Sequence, residues 1–124
     1  MEAVEFMIRH KPCGRWGMNS LYSGKHWAKR DKEAAEMHLI VRAALSECRI
    51  PRRLFTAPVA VHIRYNSRMD IDNHGYLSKL IIDGLKGWLI EDDSRKYVKA
   101  LYQEFHSMDA GLIFVRIEEW REHE

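Results

Sequence analysis

The chain has 124 residues and a mass of 14.7 kDa, a length for one domain, residues 1–124, whose core needs no disulfide or metal staple. Apolar residues make up 46% and the formal net charge is only +2, which excludes a disordered chain and a polycation that binds nucleic acid through bulk charge alone. No apolar run approaches the roughly 18 residues of a membrane span, and the N-terminus lacks the basic and then apolar character of a signal peptide, so a cytoplasmic protein with no membrane partner is expected.

In Ala3 to Arg9, Val4, Phe6 and Ile8 alternate with polar neighbours and predict a strand. Lys11 to Ser23 holds Pro12, Gly14, Gly17 and Asn19 and reads as a loop. From about Gly24 to Cys48 the pattern turns helical, with Ala34, Met37, Val41, Ala44 and Cys48 as the buried stripe and Pro51 as a stop beyond it. Cys13 and Cys48 are the only cysteines and lack metal-ligand spacing; Cys48 is expected as a buried thiol. Pro58 to Tyr65 is a second strand, with Val59, Val61, Ile63 and Tyr65 on one face and Ala60, His62 and Arg64 on the other.

Asn73 suits the N-cap of a second helix burying Leu77, Leu80 or Ile81, Leu85 and Trp88, somewhat weakened by Gly75 and Gly84. Tyr97 to Phe105 and Leu112 to Ile117 read as strands, and Met108-Asp109-Ala110-Gly111 as the turn of a hairpin between them. The order β-α-β-α-β-β predicts an α+β two-layer sandwich, a mixed sheet with helices on one face.

The chemistry concentrates between Arg68 and Asp93. Asp70 and Asp72 follow the second strand, and Glu91-Asp92-Asp93 follows the helix after it. If the backbone is extended at Asp70–Asp72, both carboxylates face one way, and a chain that folds back brings Asp92 or Asp93 to them. Gathered carboxylates repel unless a cation neutralises them, and hard oxygen ligands suit Mg²⁺ or Mn²⁺. Metal held in this way serves phosphodiester hydrolysis, with a lysine assisting at the phosphate. Lys79 lies between the clusters, four residues before Asp83 and so on the same helical face. Taken singly, an Asp-x-Asp is usually a turn, and Lys79–Asp83 an exposed pair worth about 0.3–0.5 kcal/mol. It is the combination around one helix that points to chemistry.

These residues resemble a known family. The Asp-x-Asp-Asn, lysine, Asp-Gly-Leu and Glu-Asp-Asp-Ser elements of Arg68 to Asp93 are similar to those of the RusA family of Holliday junction resolvases. Met18 to Arg30 also looks like phage-type members, so the likeness covers most of the chain. The resemblance implies a small homodimeric, Mg²⁺-dependent endodeoxyribonuclease, with Mn²⁺ as an alternative metal. Such an enzyme resolves four-way junctions and related branched DNA by paired symmetric nicks, in DNA recombination and repair, in a bacterial or phage-infected cell. Asp70 and Asp72 match the family's two metal-binding aspartates. Asp93 matches the third, with Asp92 beside it as the competing choice. Lys79 matches the catalytic lysine, although five residues, His74 to Ser78, separate it from Asn73 where the short motif has two. A three-residue shift turns a helix by about −60°. A dimer also agrees with symmetry, since two nicks need two sites and a chain this small has room for one.

The DNA-binding expectation rests on Lys25, Lys29 and Lys32 along one face of the first helix, with Arg30 beside them and Arg68 near the acids. Arg15, Arg52 and Arg53 are expected as further phosphate contacts. Tyr22 and Trp27 offer aromatic surface for stacking, although Trp27 is expected in the core or a dimer contact. His62 and His74 are expected as structural or surface residues. Two rival readings remain: a RusA-like module that binds branched DNA or a partner protein without cutting, and a nuclease for flaps or RNA.

Overall fold

The computed structural model describes residues 3–122. Four strands, β1 (Val4–Arg9), β2 (Val59–Tyr65), β3 (Val98–Phe105) and β4 (Leu112–Glu119), form one mixed sheet with helices packed against it, a general α+β two-layer architecture. The helices are α1 (Met18–Tyr22), α2 (Trp27–Glu47) and α3 (Gly75–Leu85), with 3-10 turns at Gly14–Trp16 and Ile71–His74. No helix among the described residues is long and apolar enough to cross a membrane.

The sheet order is β1-β4-β2-β3: β4 lies antiparallel to both β1 and β2, and β3 lies parallel to β2. The expected β3–β4 hairpin does not form. The turn residues behave as expected, since Asp109 Oδ1 accepts the Gly111 N–H at 2.7 Å and the Asp109 carbonyl accepts the Leu112 N–H at 3.1 Å. Their loop nevertheless carries the chain past the end of β2 to its far side. The reason is burial. In β2, Val59, Ala60, Val61, Ile63 and Tyr65 are all buried, whereas no residue of β3 is. The most buried strand takes an inner position and the least buried one the edge.

Alternation sorts the sheet faces. Phe6, Ile8, Val61, Ile63, Ile113, Val115 and Ile117 join Met37, Val41, Leu45, Leu77, Ile81 and Leu85 of the helices in one core. The other face presents Arg64, His62 and Arg116; His62 stacks on Tyr102 at 4.6 Å and meets Glu118 at 2.9 Å. The α2 stripe at Met37, Val41 and Ala44 is buried as its spacing predicts. Gly84 sits where α3 crosses α2: a Cβ there would lie 2.7 Å from the Val41 Cβ, so only glycine permits this approach.

Three local expectations change. The Lys11–Ser23 segment is not all loop, because Gly17 starts α1 and Met18 and Leu21 pack on the core. Asn73 does not cap α3, whose cap position is His74 with no side-chain cap bond. Instead Asn73 Oδ1 accepts the Asn19 N–H at 2.8 Å, and a Cβ on Gly17 would meet the Asn73 amide at 2.6 Å. Trp88 lies beyond the end of α3, with its indole N–H on the Ile50 carbonyl at 2.9 Å. Both cysteines are free; Cys13 is exposed, while Cys48 is half-buried with its thiol facing the Met7 carbonyl.

Candidate functional site

The expected acidic pocket divides between the two ends of α3. Asp70 is extended (φ −62°, ψ 153°), but Asp72 already belongs to the 3-10 turn Ile71–His74, so the two do not share one face of a continuing strand. Both are exposed at the N-terminal end of α3, near the finish of β2. Asp92 and Asp93 stand beside Asp83 near its C-terminal end, just before β3 begins. The segment Gly75 to Asp83 alone covers about 12 Å of helix axis. The physical reason is the parallel β2–β3 pairing: α3 must return the chain to the starting edge of the sheet, so acids before and after it land at opposite ends. One chain therefore does not bring Asp70 and Asp72 to Asp93. Among the described residues no group of three His, Cys, Asp or Glu side chains is arranged to hold a metal ion.

The N-terminal end is set by a buried network. His74 is fully buried, stacked on Tyr65 at 4.3 Å and edge-on to Phe105 at 5.8 Å. Its Nδ1 faces the carbonyls of Asp70 (3.0 Å) and Ile71 (3.2 Å). Carbonyls only accept, so Nδ1 carries the proton. Nε2 then accepts from the Ser67 hydroxyl at 2.7 Å, and the Ser67 oxygen accepts the Met69 N–H at 3.1 Å. Burial pushes the imidazole pKa down; the two carbonyls and Asp72 oppose this without overcoming it. Beneath the ring, the Tyr65 hydroxyl donates to Ser78, which donates to Gln103 at 2.6 Å. Arg68, Ser67 and Asn66 line an open groove of about 760 Å³ together with Lys11 and Cys13.

The C-terminal end is ionic. The Lys86 ammonium lies 3.2 Å from Asp93, 3.3 Å from Asp83 and 3.8 Å from Asp92. Lys79 reaches Asp83 at 3.7 Å with its side chain largely exposed. Burial and a hydrogen bond with Asp93 raise the Asp83 pKa above the ordinary carboxyl value, and the same bond lowers that of Asp93. Burial opposes the Lys86 charge, but the bonds and charges of Asp93 and Asp83 together outweigh it and raise the lysine. Asp83 Oδ1 is buried without a hydrogen bond despite the nearby ammonium. Arg42 holds this end of α3, donating to the carbonyls of Gly84 (2.9 Å) and Lys86 while stacking on Trp88.

The basic residues also separate. Lys29, Arg30, Lys32 and Arg68 are exposed. Lys25 is not on the helix face expected for it: it precedes α2, and its side chain is 3% exposed. Its ammonium donates to Glu33 at 2.7 Å and to the Arg15 carbonyl at 2.6 Å, which removes it from the DNA-facing set. Glu33, buried on α2, also accepts from the Tyr76 hydroxyl at 3.1 Å and from Arg15 at 3.3 Å. Burial would raise its pKa, yet the bonds from Lys25, Tyr76 and Arg15 and the Lys25 charge together outweigh this and hold it below the ordinary value. Trp27 is not in the core; it is 64% exposed, as Tyr22 is exposed, and the buried indole is that of Trp16. Arg15 is engaged by Glu33 and Glu36, and Arg52 lies over Trp88.

Sequence reasoning passed over two residues here. Lys86 stands three residues after Asp83, a spacing that signals a shared helical face. Nothing in the sequence marks His74 as a hub. Compared with known proteins, the chain matches no family model and no curated protein.

Proposed function

We propose that the chain is a RusA-like endodeoxyribonuclease that acts, as a homodimer in the cytoplasm of a bacterial or phage-infected cell, on four-way junctions and related branched DNA. The observation that carries this reading is the carboxylate group around Lys86, used with the Asp70–Asp72 turn that the family resemblance singles out. Asp83, Asp92 and Asp93 surround one ammonium, and a buried Asp83 oxygen has no hydrogen bond. No three of these side chains are arranged to hold a metal as they stand; on this reading a divalent cation, Mg²⁺ or Mn²⁺, displaces the Lys86 ammonium and draws the oxygen donors around itself. On this reading Asp93, with Asp92, holds metal at the C-terminal end of α3, and Asp70 and Asp72 hold metal at its N-terminal end. When bound, a divalent cation supplies a nucleophilic water and charge neutralisation on the phosphate. Lys79, exposed beside Asp83, offers its ammonium to the non-bridging phosphate oxygens. Lys29, Arg30, Lys32 and Arg68 hold backbone phosphates, and Trp27 and Tyr22 stack on unpaired bases at the branch. The finer fold belongs to the same reading: a RusA-like sandwich with its helices on one sheet face.

A second reading, a module that binds branched DNA or a partner protein without cutting, is favoured by one observation, the separation of the Asp70–Asp72 turn from Asp93 along α3. One experiment divides the two. A synthetic mobile four-way junction is incubated with the protein in Mg²⁺, in Mn²⁺ and in EDTA, then run on native and denaturing gels. Paired, symmetric, metal-dependent nicks, lost in Asp70→Asn and Asp93→Asn while the shifted band persists, are the expected result. A shifted band with no nicks in either metal establishes the binding module, and cleavage retained by Asp70→Asn removes that residue from the site.

A further inference from the structure

We propose that His74 is a positioning residue for the Asp70–Asp72 turn, acting through the hydrogen bond from its Nδ1 to the Asp70 carbonyl. The inference rests on Asp70 as a working carboxylate, and it adds the group that aims it. Asp70 is exposed and no protein group fixes its side chain in any contact described above, so its direction depends on its backbone. The Asp70 backbone is held at its carbonyl. The Asp70 carbonyl accepts the Asn73 N–H at 3.0 Å and the His74 Nδ1–H at 3.0 Å. The first bond belongs to the turn itself. The second ties the turn to the core, because the imidazole is fixed by Tyr65 on its face, Phe105 on its edge and Ser67 on Nε2.

A core residue chosen only for packing would not need a protonated Nδ1 beneath a carbonyl. An imidazole buried on every side costs desolvation unless both nitrogens are satisfied, and here both are, by the turn and by Ser67. The ring thus carries the rigidity of β2 to the acidic turn. Carboxylates held in one direction before substrate arrives lose less entropy at the reacting centre, and misplacement there lowers turnover more than binding.

The two ring nitrogens are separable by substitution. The amide of His74→Asn reaches the position of Nδ1, and that of His74→Gln the position of Nε2. Both variants are compared with His74→Phe, which keeps the shape and removes both bonds. Hydrogen exchange is read at the Asn73 and Gly75 amides, which donate to the Asp70 and Asp72 carbonyls, and junction nicking gives kcat and KM separately. Exchange in the Gln and Phe variants is expected about tenfold faster than in the wild type, with the Asn variant within about threefold. Their kcat is expected to fall about a hundredfold with KM within about threefold, and the Asn variant to keep most of kcat. Equal behaviour of the Asn and Gln variants, or a loss that lies in KM, would overturn the assignment. If the wild type nicks no junction, the nuclease reading fails by itself; the exchange arm then decides alone whether His74 holds the turn.

Discussion

The N-terminal end of α3 is held by uncharged or fully buried hydrogen bonds: His74 to the Asp70 carbonyl, Asn73 to the Asn19 amide, Tyr76 to a Glu33 already paired with Lys25. The C-terminal end is held by Arg42 on two carbonyls and by half-exposed charges around Lys86. Each end carries aspartates, but among the described residues only those at the far end have a cation among them. In a low dielectric one missing partner strands a polar group, whereas in a wet cluster the neighbours and solvent adjust. The first end keeps one geometry; on the nuclease reading the second exchanges its ammonium for a metal ion.

Substitutions at the two ends test that contrast. Lys25→Met takes from the buried Glu33 its nearest cation, leaving it only Arg15 and Tyr76, and is expected to cost about 3 kcal/mol in denaturant unfolding. Because the ammonium is buried, junction affinity on native gels should stay the same at equal folded fraction. A loss below about 1 kcal/mol would erase the difference between the ends. Ser67→Ala leaves His74 Nε2 and the Met69 N–H without their partner and is expected to cost about 1–3 kcal/mol, read by the same titration.

Acidity should act on the buried network too. Glu33 is held below the ordinary 4.5 of a glutamate. Its charged form therefore favours the folded chain. That stability is complete above the unfolded value and is lost as the pH falls from there through the lower folded value. Glu33→Gln should flatten the fall in melting temperature across that acidic window.

The ionic end predicts smaller effects. Lys86→Met should change metal-free stability by no more than about 1 kcal/mol. On the nuclease reading, Mn²⁺ should raise its melting temperature more than that of the wild type, because no ammonium competes for Asp83 and Asp93. An equal or smaller rise would show that Lys86 does not stand where the metal binds. Lys79→Ala, at an exposed pair, should cost about 0.5 kcal/mol or less in stability. Its effect on nicking is then a direct measure of a role at the phosphate.

Legibility in the sequence followed the range of the forces involved. Alternation in Val4–Arg9 and Val59–Tyr65 and the Met37–Val41–Ala44 stripe report local burial, and these elements stand where their patterns predict. α1 escaped notice because Gly17 and Asn19 read as breakers, while its stability comes from Met18 and Leu21 on a distant core. The β3–β4 hairpin failed for a related reason: turn residues specify a turn, but strand neighbours are chosen by which strand buries most. At the site, residue types were legible and distances were not. Asp70 and Asp93 are set apart by a parallel crossover that no spacing along the chain reveals. Lys25 and Lys29 look alike in sequence, yet Glu33 draws one of them inside.

The place of β4 has a consequence for how the molecule is made. β1 joins the sheet only through β4, so the first described strand has no partner until the last one is present. During synthesis α2, β2, α3 and β3 can assemble as a partial layer, while β1 and one flank of β2 keep open backbone edges. Closure then depends on contacts between opposite ends of the chain, which favours slow folding and a window for aggregation. A nick or truncation that removes β4 would release β1 and expose β2 in a single event, so proteolysis in the Met108–Gly111 turn should cause collapse rather than trimming.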